Sequence, residues 1–181
     1  MELSDLSHIG LIAEGNEQAF DKLFTDWFGK LYTYAFSVLR DEAIAEETVQ
    51  AVFCRIWEKR DQLQVHSSLK AYLYGSVYHE CMNWHRHEKY VKAHRLYVMR
   101  SEQPSVNNAS GKAELGELEI RLKQALDELP EQCRAIFQLS RFGGLKYREI
   151  AEQLDLSVKT VEAQVSRALK ELRNKLGDFL V

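Results

Sequence analysis

Residues 147–172, "YREIAEQLDLSVKTVEAQVSRALKEL", contain two amphipathic helical patterns that are separated by only three residues. The apolar stripe of the first pattern ends at Leu154, and the stripe of the second begins at Val158. Between them, Asp155 tolerates a left-handed backbone, and Ser157 can cap the free amides of the following helix. Because three residues are too few for an antiparallel return, the spacing predicts two steeply crossing helices, as in a helix-turn-helix.

The composition favours helices over a turn-rich β fold. The chain has 181 residues, of which 45% are hydrophobic, but it has only nine glycines and two prolines. It contains no apolar run of the ~20 residues that cross a bilayer, so we expect no membrane insertion. Its three cysteines, Cys54, Cys81 and Cys133, lie far apart and are odd in number, which favours reduced thiols and a cytoplasmic location.

Four helical patterns precede a break in the second half of the chain. The first begins near Ser4, the second carries a stripe from Phe20 to Val38, and Asp41 can cap the third. Ser67 or Ser68 can cap the fourth, which extends toward residue 100. After the break, helical patterns resume and reach Pro130, a residue suited to the first turn of a helix.

The break itself, "SEQPSVNNASGK" at residues 101–112, has the composition of a flexible linker. We therefore predict an all-α protein of two small helical domains. They occupy residues 1–100 and 113–181, and the second contains the helix-turn-helix.

The formal net charge of −3 conceals a gradient along the chain. Residues 1–60 carry 11 acidic side chains against 6 basic ones, whereas residues 117–181 carry 11 of each. A protein that binds polyanions through its whole surface would be basic along the entire chain. Any contact with nucleic acid must therefore come from local patches, and the acidic front indicates a different partner.

The second helix of the pair is the first candidate DNA-binding element. Its apolar stripe consists of Val161, Val165, Leu169 and Leu172. The opposite face carries side chains of the kinds that bond to base edges and phosphates. The alternative is a solvated face of an ordinary helical hairpin. The candidate residues are Lys159, Thr160, Glu162, Ala163, Gln164, Ser166, Arg167 and Lys170.

The fourth helix interleaves aromatic and basic side chains. Between Tyr72 and Arg100 this pattern suits unpaired nucleic acid, because aromatic rings stack on bases while cations hold the backbone. The alternative is that many of these rings belong to a core. Cys81 and His85 share a helix face and could begin a zinc site, but no second ligand pair is near in sequence. No catalytic or phosphate-cradling motif is present, so we expect neither enzymatic activity nor a cofactor.

Three segments resemble the bacterial sigma-70 initiation factors, and specifically the small extracytoplasmic-function (ECF) group. "AFDKLFTDWFGKLYTYAFSVLRDEAIAEETVQAVFCRIWEK" resembles that family's first conserved region, and "SLKAYLYGSVYHECMNWHRHEK" resembles its promoter-melting region. "LDELPEQCRAIFQLSRFGGLKYREIAEQLDLSVKTVEAQVSRALKELRNKL" resembles its carboxy-terminal region. All three occur in order, split by the linker.

The resemblance implies that the chain binds core RNA polymerase and directs it to promoters. Contacts would involve the β′ clamp helices and the β flap, with a polar face on the third helix binding the clamp. Ala51 stands where an acidic residue is usual in the family. The matching polymerase-binding positions are Glu46, Glu47, Gln50 and Trp57.

The resemblance also assigns the two promoter elements. The carboxy-terminal pair would read the minus-35 element, with Arg141, Lys146 and Arg148 touching phosphates. The melting helix and the loop before it would capture the minus-10 element, although Tyr78 and His79 stand where Arg-Asn is common. The minus-10 candidates are His66, Ser67, Tyr74, Tyr78, Asn83, Arg86 and Lys89.

The resemblance further implies control by a separate anti-sigma factor. Two other interpretations compete with it: a regulator whose output domain is a helix-turn-helix behind an α/β receiver domain, and an adaptor made of two protein-binding bundles. Residues 1–100 show neither strand alternation nor clustered aspartates, which argues against the receiver domain. In the free protein the two domains can either stay apart or pack together, which would protect the apolar docking surfaces of both.

Overall fold

A computed structural model describes residues 3–63, 65, 68–98 and 117–176 of the chain. Within these ranges every long element is an α-helix, as the sequence predicts, and a short 3₁₀ turn spans Arg60–Gln62. The helices are α1 (Leu3–Ala13), α2 (Glu17–Leu39), α3 (Glu42–Glu58), α4 (Leu69–Val98), α5 (Glu117–Asp127), α6 (Glu131–Arg141), α7 (Tyr147–Leu154) and α8 (Val158–Leu176). The predicted linker 101–112 and the candidates His66 and Ser67 lie outside the described residues.

The helices begin where the sequence offers a capping side chain. The Asp41 carboxylate accepts a hydrogen bond of 3.0 Å from the Ile44 amide at the start of α3. The Ser68 hydroxyl accepts one of 3.1 Å from the Ala71 amide at the start of α4. Pro130 precedes the first residue of α6. Short-range side-chain hydrogen bonds thus fix the starts of α3 and α4.

Helices α1–α4 form the N-terminal half, whose core lies between α2, α3 and α4. Phe53 on α3 is almost fully buried and meets three rings of α2 at centroid distances of 4.9–6.4 Å. Such offset and edge-to-face aromatic packing is favourable beyond the burial of area. It positions the opposite, polar face of α3 toward solvent.

Helices α5–α8 form the C-terminal half, in which α8 packs against α5, α6 and α7. All residues of α6 from Cys133 to Leu139 are buried, including the polar Arg134 and Gln138. An amphipathic helix of a free bundle would expose its polar face. The reason for this burial is that the C-terminal half packs on the N-terminal half, with α6 against α2 and with α6 and α7 against α4.

Candidate nucleic-acid and polymerase interfaces

The turn between α7 and α8 has the conformation that its sequence predicts. Asp155 is left-handed, with φ of 52°, and the Leu156 amide donates to the Ala151 carbonyl at 2.9 Å. The Ser157 hydroxyl accepts a hydrogen bond of 3.0 Å from the Thr160 amide, so it caps α8. Both expectations for this turn are confirmed, and α7 and α8 form a helix-turn-helix.

One residue of the buried stripe of α8 was misassigned. Ala168, not Leu169, completes the buried face, because residues spaced by four, three and four point toward the bundle. Leu169 is 36% exposed on the neighbouring face. The buried set is Val161, Val165, Ala168 and Leu172.

The opposite face of α8 is open to solvent at its amino end. Thr160 and Gln164 are only half-exposed. The Thr160 hydroxyl lies 2.8 Å from that of Ser157, so Thr160 also takes part in the hydrogen bonding that caps α8. The three candidate phosphate-binding residues at the end of α6 and the start of α7 are exposed as well. The fully exposed candidates on α8 are Lys159, Glu162, Ala163, Ser166, Arg167 and Lys170.

Two of the candidate base-stacking residues of α4 are buried. Tyr74 is 6% exposed and makes edge-to-face contacts with Trp27 and Tyr34, at centroid distances of 6.3 and 5.4 Å. Tyr78 is 5% exposed. Neither ring can stack on a base in this arrangement, because the C-terminal half and the core occupy their surroundings.

The remaining described candidates of α4 are exposed and polar. Asn83 and Arg86 face outward, while the Lys89 ammonium lies 2.6 Å from the Glu131 carboxylate of α6. Arg86 and Lys89 border a cleft of about 440 Å³ between α4 and the C-terminal half. The basic side of the candidate melting helix thus lines one side of this cleft, and Glu131 of α6 lines the other.

His85 lies at the same boundary and is 8% exposed. Its Nδ1 atom lies 3.7 Å from the Glu131 carboxylate. Burial lowers the pKa of His85 below the ordinary value of 6.5; Glu131 and Glu88 oppose the shift, and Arg134 and Lys89 add to it. The imidazole is therefore held neutral between the two halves at neutral pH.

We expect acidification to destabilise this contact. Because the folded protein binds the His85 proton more weakly than the unfolded chain does, its stability falls as the pH drops below about 6.5. Burial alone would raise the pKa of Glu131, but the hydrogen bond from Lys89 lowers it below the ordinary value of 4.5. Protonation of Glu131 therefore affects the stability of the protein only below pH 4.5.

The check is the melting temperature of the wild type and His85→Gln at pH 7.5 and 5.5. The wild type should lose more stability over this range than the variant. Equal losses in both proteins would contradict the role of His85.

The polar face of α3 is accessible where the polymerase-binding residues were predicted. Glu46, Glu47 and Gln50 are exposed, and the Gln50 amide donates to the Glu46 carboxylate at 3.0 Å. Trp57 is half-buried, with its ring 4.9 Å from that of Phe20 and the Arg60 guanidinium 4.6 Å from its centre. The three polar side chains form one surface, whereas Trp57 is partly covered at its end.

Cys54 is exposed, whereas Cys81 and Cys133 are buried. Burial raises the pKa of the Cys81 thiol to about 12, which favours the protonated form over the thiolate that binds zinc. In the described ranges, no three His, Cys, Asp or Glu side chains cluster as a metal site would require. Nor is any helix in this part of the chain long and apolar enough to span a membrane.

Sequence reasoning missed the polar residues that join the halves. Arg134 and Gln138 of α6 and His79 of α4 bond across the boundary, although their spacing is that of an exposed helix face. A local pattern gives no signal for such contacts, because their partners lie 74 to 101 residues away.

Two family models match the chain. One described as "Sigma-70 region 2" matches residues 23–90, and one described as "Sigma-70, region 4" matches residues 119–172. The two matches coincide with the N-terminal and C-terminal halves. Residues 23–90 thus match region 2 and not the α/β receiver domain that the competing regulator would carry in front of its helix-turn-helix.

Curated relatives align over nearly the whole chain. The ECF RNA polymerase sigma factor SigK of Mycobacterium bovis (strain BCG / Pasteur 1173P2) is 25% identical over 176 residues, which are 96% of this chain and 94% of that protein. SigK of Mycobacterium ulcerans (strain Agy99) is 26% identical over 167 residues, covering 91% and 89% of the two chains.

Solved structures share the fold. The sigma factor RpoE from Bartonella quintana, in complex with the anti-sigma factor NepR, matches with a TM-score of 0.68 and 23% identity over 87% of this chain and 96% of its own. CnrH, in complex with the cytosolic domain of CnrY, matches with a TM-score of 0.70 and 24% identity over 96% and 97%.

Region 2 precedes region 4 along the chain, and the two relatives align with 96% and 91% of it. The chain therefore belongs to the sigma-70 family of RNA polymerase sigma factors, in its ECF group.

Proposed function

We propose that three surfaces of this transcription initiation factor divide the work of promoter recognition. In this proposal α8 reads the minus-35 element, α4 captures the minus-10 element, and the polar face of α3 binds core polymerase. The observation that carries the proposal is the exposed amino end of α8, whose opposite face anchors it in the bundle. Helix-turn-helix proteins place this end of the second helix against base edges.

At the minus-35 element, Arg167 is the candidate for guanine, Gln164 for adenine and Glu162 for cytosine. Residues at the rim of the reading helix hold the phosphates and carry no sequence information themselves. These positioning residues are Lys159, Lys170, Arg141, Lys146 and Arg148.

At the minus-10 element, Asn83, Arg86 and Lys89 are the candidates that stay accessible. Tyr78, which lines the cleft against the C-terminal half, joins them only if that half moves away from α4, whereas Tyr74 packs on Trp27 and Tyr34 of its own half. We assign the same minus-10 element to the segment before α4 that contains His66 and Ser67. Residues 1–100 then act as the polymerase-binding and melting domain and residues 113–181 as the minus-35 domain, joined by residues 101–112.

Control by a separate anti-sigma factor is part of this proposal. Its support is the likeness in fold to RpoE and CnrH, whose structures contain NepR and part of CnrY. We also infer that the chain itself catalyses no reaction, needs no cofactor and acts in the cytoplasm with the polymerase.

Promoter-dependent transcription tests the proposal. Core polymerase from the same bacterium, with and without the chain, is given a pool of genomic fragments, and transcript starts are mapped by sequencing. We expect transcripts that require the chain and that share sequences near positions minus 35 and minus 10. The absence of any such transcripts would overturn the proposed function.

On a promoter found in this way, Arg167→Ala is expected to cost ~1–3 kcal/mol and to relax preference at one or two minus-35 positions. The loss comes from a bidentate contact that Ala cannot make. Run-off transcription on variant templates measures it. Thr33→Ala, an exposed change on α2, is the control, and unchanged preference in Arg167→Ala would contradict the assignment.

A further inference from the structure

The cleft beside α4 has the size and the two-sided lining of a small-molecule site. Its volume of about 440 Å³ lies within the ~300–1,000 Å³ of most ligand clefts in proteins. Met82 and Leu154 form an apolar wall. Arg86, Lys89 and His85 form a basic wall. A cleft with these two walls suits a molecule that has an apolar part and a negatively charged part.

The charges that line this cleft favour an anion. The Lys89 ammonium lies 2.6 Å from the Glu131 carboxylate, so these two charges offset each other. Arg86 makes no ion pair with another residue that the structure describes. The cleft therefore carries one cation that no carboxylate on its lining compensates.

The amino end of α6 adds backbone donors at the same place. Glu131 and Gln132, the first two residues of α6, line the cleft. The residue before them is Pro130, whose side chain cannot cap the helix. The free amides and the positive pole at the amino end of a helix favour a negatively charged group. A phosphate in the cleft can thus meet both side-chain cations and helix amides.

His85 gives an independent indication of a ligand. It lines the cleft and is only 8% exposed, and its Nε2 atom has no hydrogen-bond partner within the described part of the chain. A buried polar atom without a partner is costly, and native proteins rarely leave one unsatisfied. An oxygen atom of a ligand would supply the missing partner.

We propose that this cleft binds a nucleoside phosphate, with the phosphate group on the basic wall and the base on the apolar wall. Phosphate is favoured over carboxylate because it offers more acceptor oxygens, and an arginine can bind two of them at once. A planar base suits the apolar wall, since the sulfur of Met82 packs favourably against aromatic rings. Gln132, whose side chain hydrogen-bonds to Tyr78, has further amide groups that can bond to the edge of the base.

A ligand in the cleft would compete with capture of the promoter, a consequence that rests on the proposed function of α4. Arg86 and Lys89 are accessible candidates for the minus-10 element, and both line the cleft. A nucleotide that occupies these two cations makes them unavailable to DNA. Initiation by this factor would then fall as the concentration of the nucleotide rises.

Calorimetric titration of the full chain tests the site without polymerase or DNA. The probes are GDP, ADP, the two free nucleosides and inorganic phosphate. We expect at least one nucleotide to bind about tenfold or more tighter than its nucleoside and than inorganic phosphate, because both walls then contribute. The absence of nucleotide binding, or an affinity no higher than that of either part alone, would overturn the proposal.

Two variants with opposite expected effects place the nucleotide in this cleft. Arg86→Ala should weaken binding about tenfold or more, because a charge-assisted hydrogen bond to phosphate is lost. Glu131→Gln should strengthen binding about threefold or more, because the side chain that competes for Lys89 keeps its shape and loses its charge. If both residues served only the packing of the protein, the two changes would not act in opposite directions.

Lys92→Ala is the matched control. Lys92 is an exposed cation of the same helix, but it pairs with Glu88 and lies outside the cleft lining. It should bind the nucleotide as the wild type does. Equal affinities in the wild type, Arg86→Ala and Glu131→Gln would overturn the site. A chain that binds the nucleotide but gives no promoter-dependent transcripts would instead contradict the proposed function.

Discussion

Changing Glu47 and Gln50 to Lys is expected to abolish co-purification of the chain with core RNA polymerase. Both residues lie on the exposed polar face of α3, and the two changes replace an acidic and a neutral side chain by two cations. Placing the wrong charge in a complementary interface costs ~2–5 kcal/mol, or at least about 30-fold in affinity. The helix itself should be retained, since Glu46 then precedes Lys at position 50 by four residues, a favourable pair.

The chain offers a matched control for this experiment. Gln18→Lys with Asp21→Lys makes the same change of charge at two exposed positions, also three residues apart, on α2. The control should bind polymerase as the wild type does. Normal binding by the Glu47 and Gln50 variant, with an unchanged circular dichroism spectrum, would place the polymerase contact elsewhere.

Replacing Phe53 by Ala is expected to lower the free energy of unfolding by ~3–5 kcal/mol. Phe53 is 2% exposed and lies among the rings of Phe20, Phe24 and Phe28, so its removal leaves a cavity in the N-terminal half. Urea denaturation followed by circular dichroism measures the loss.

Phe24→Ala is the comparison, because this ring contacts the same cluster but is 37% exposed. It should cost less, about 1–2 kcal/mol, in proportion to the smaller area removed from contact. Equal costs for the two variants would show that Phe53 is not the centre of this core.

The elements of the helix-turn-helix were predictable from the sequence because the forces that define them act over a few residues. Asp155 accepts a left-handed backbone and Ser157 caps α8, as their side chains dictate. Asp41 and Ser68 start two further helices in the same way. The buried stripe of α8 was predictable except at one position. Ala168 is buried in place of Leu169, because a helix with 3.6 residues per turn keeps to one face by spacings of four, three and four.

The sequence by itself determined the helices, their order and the types of side chain on the candidate surfaces. Only the tertiary structure decided which of those surfaces are free. Tyr74 and Tyr78 carry aromatic rings of the kind that stacks on bases, yet they are buried. Arg134 and Gln138 have the spacing of an exposed helix face, yet they bond to the carboxyl end of α2 in the other half. Caps and stripes depend on neighbours within one or two turns, whereas burial between the two halves depends on partners up to 101 residues away, which no local pattern records.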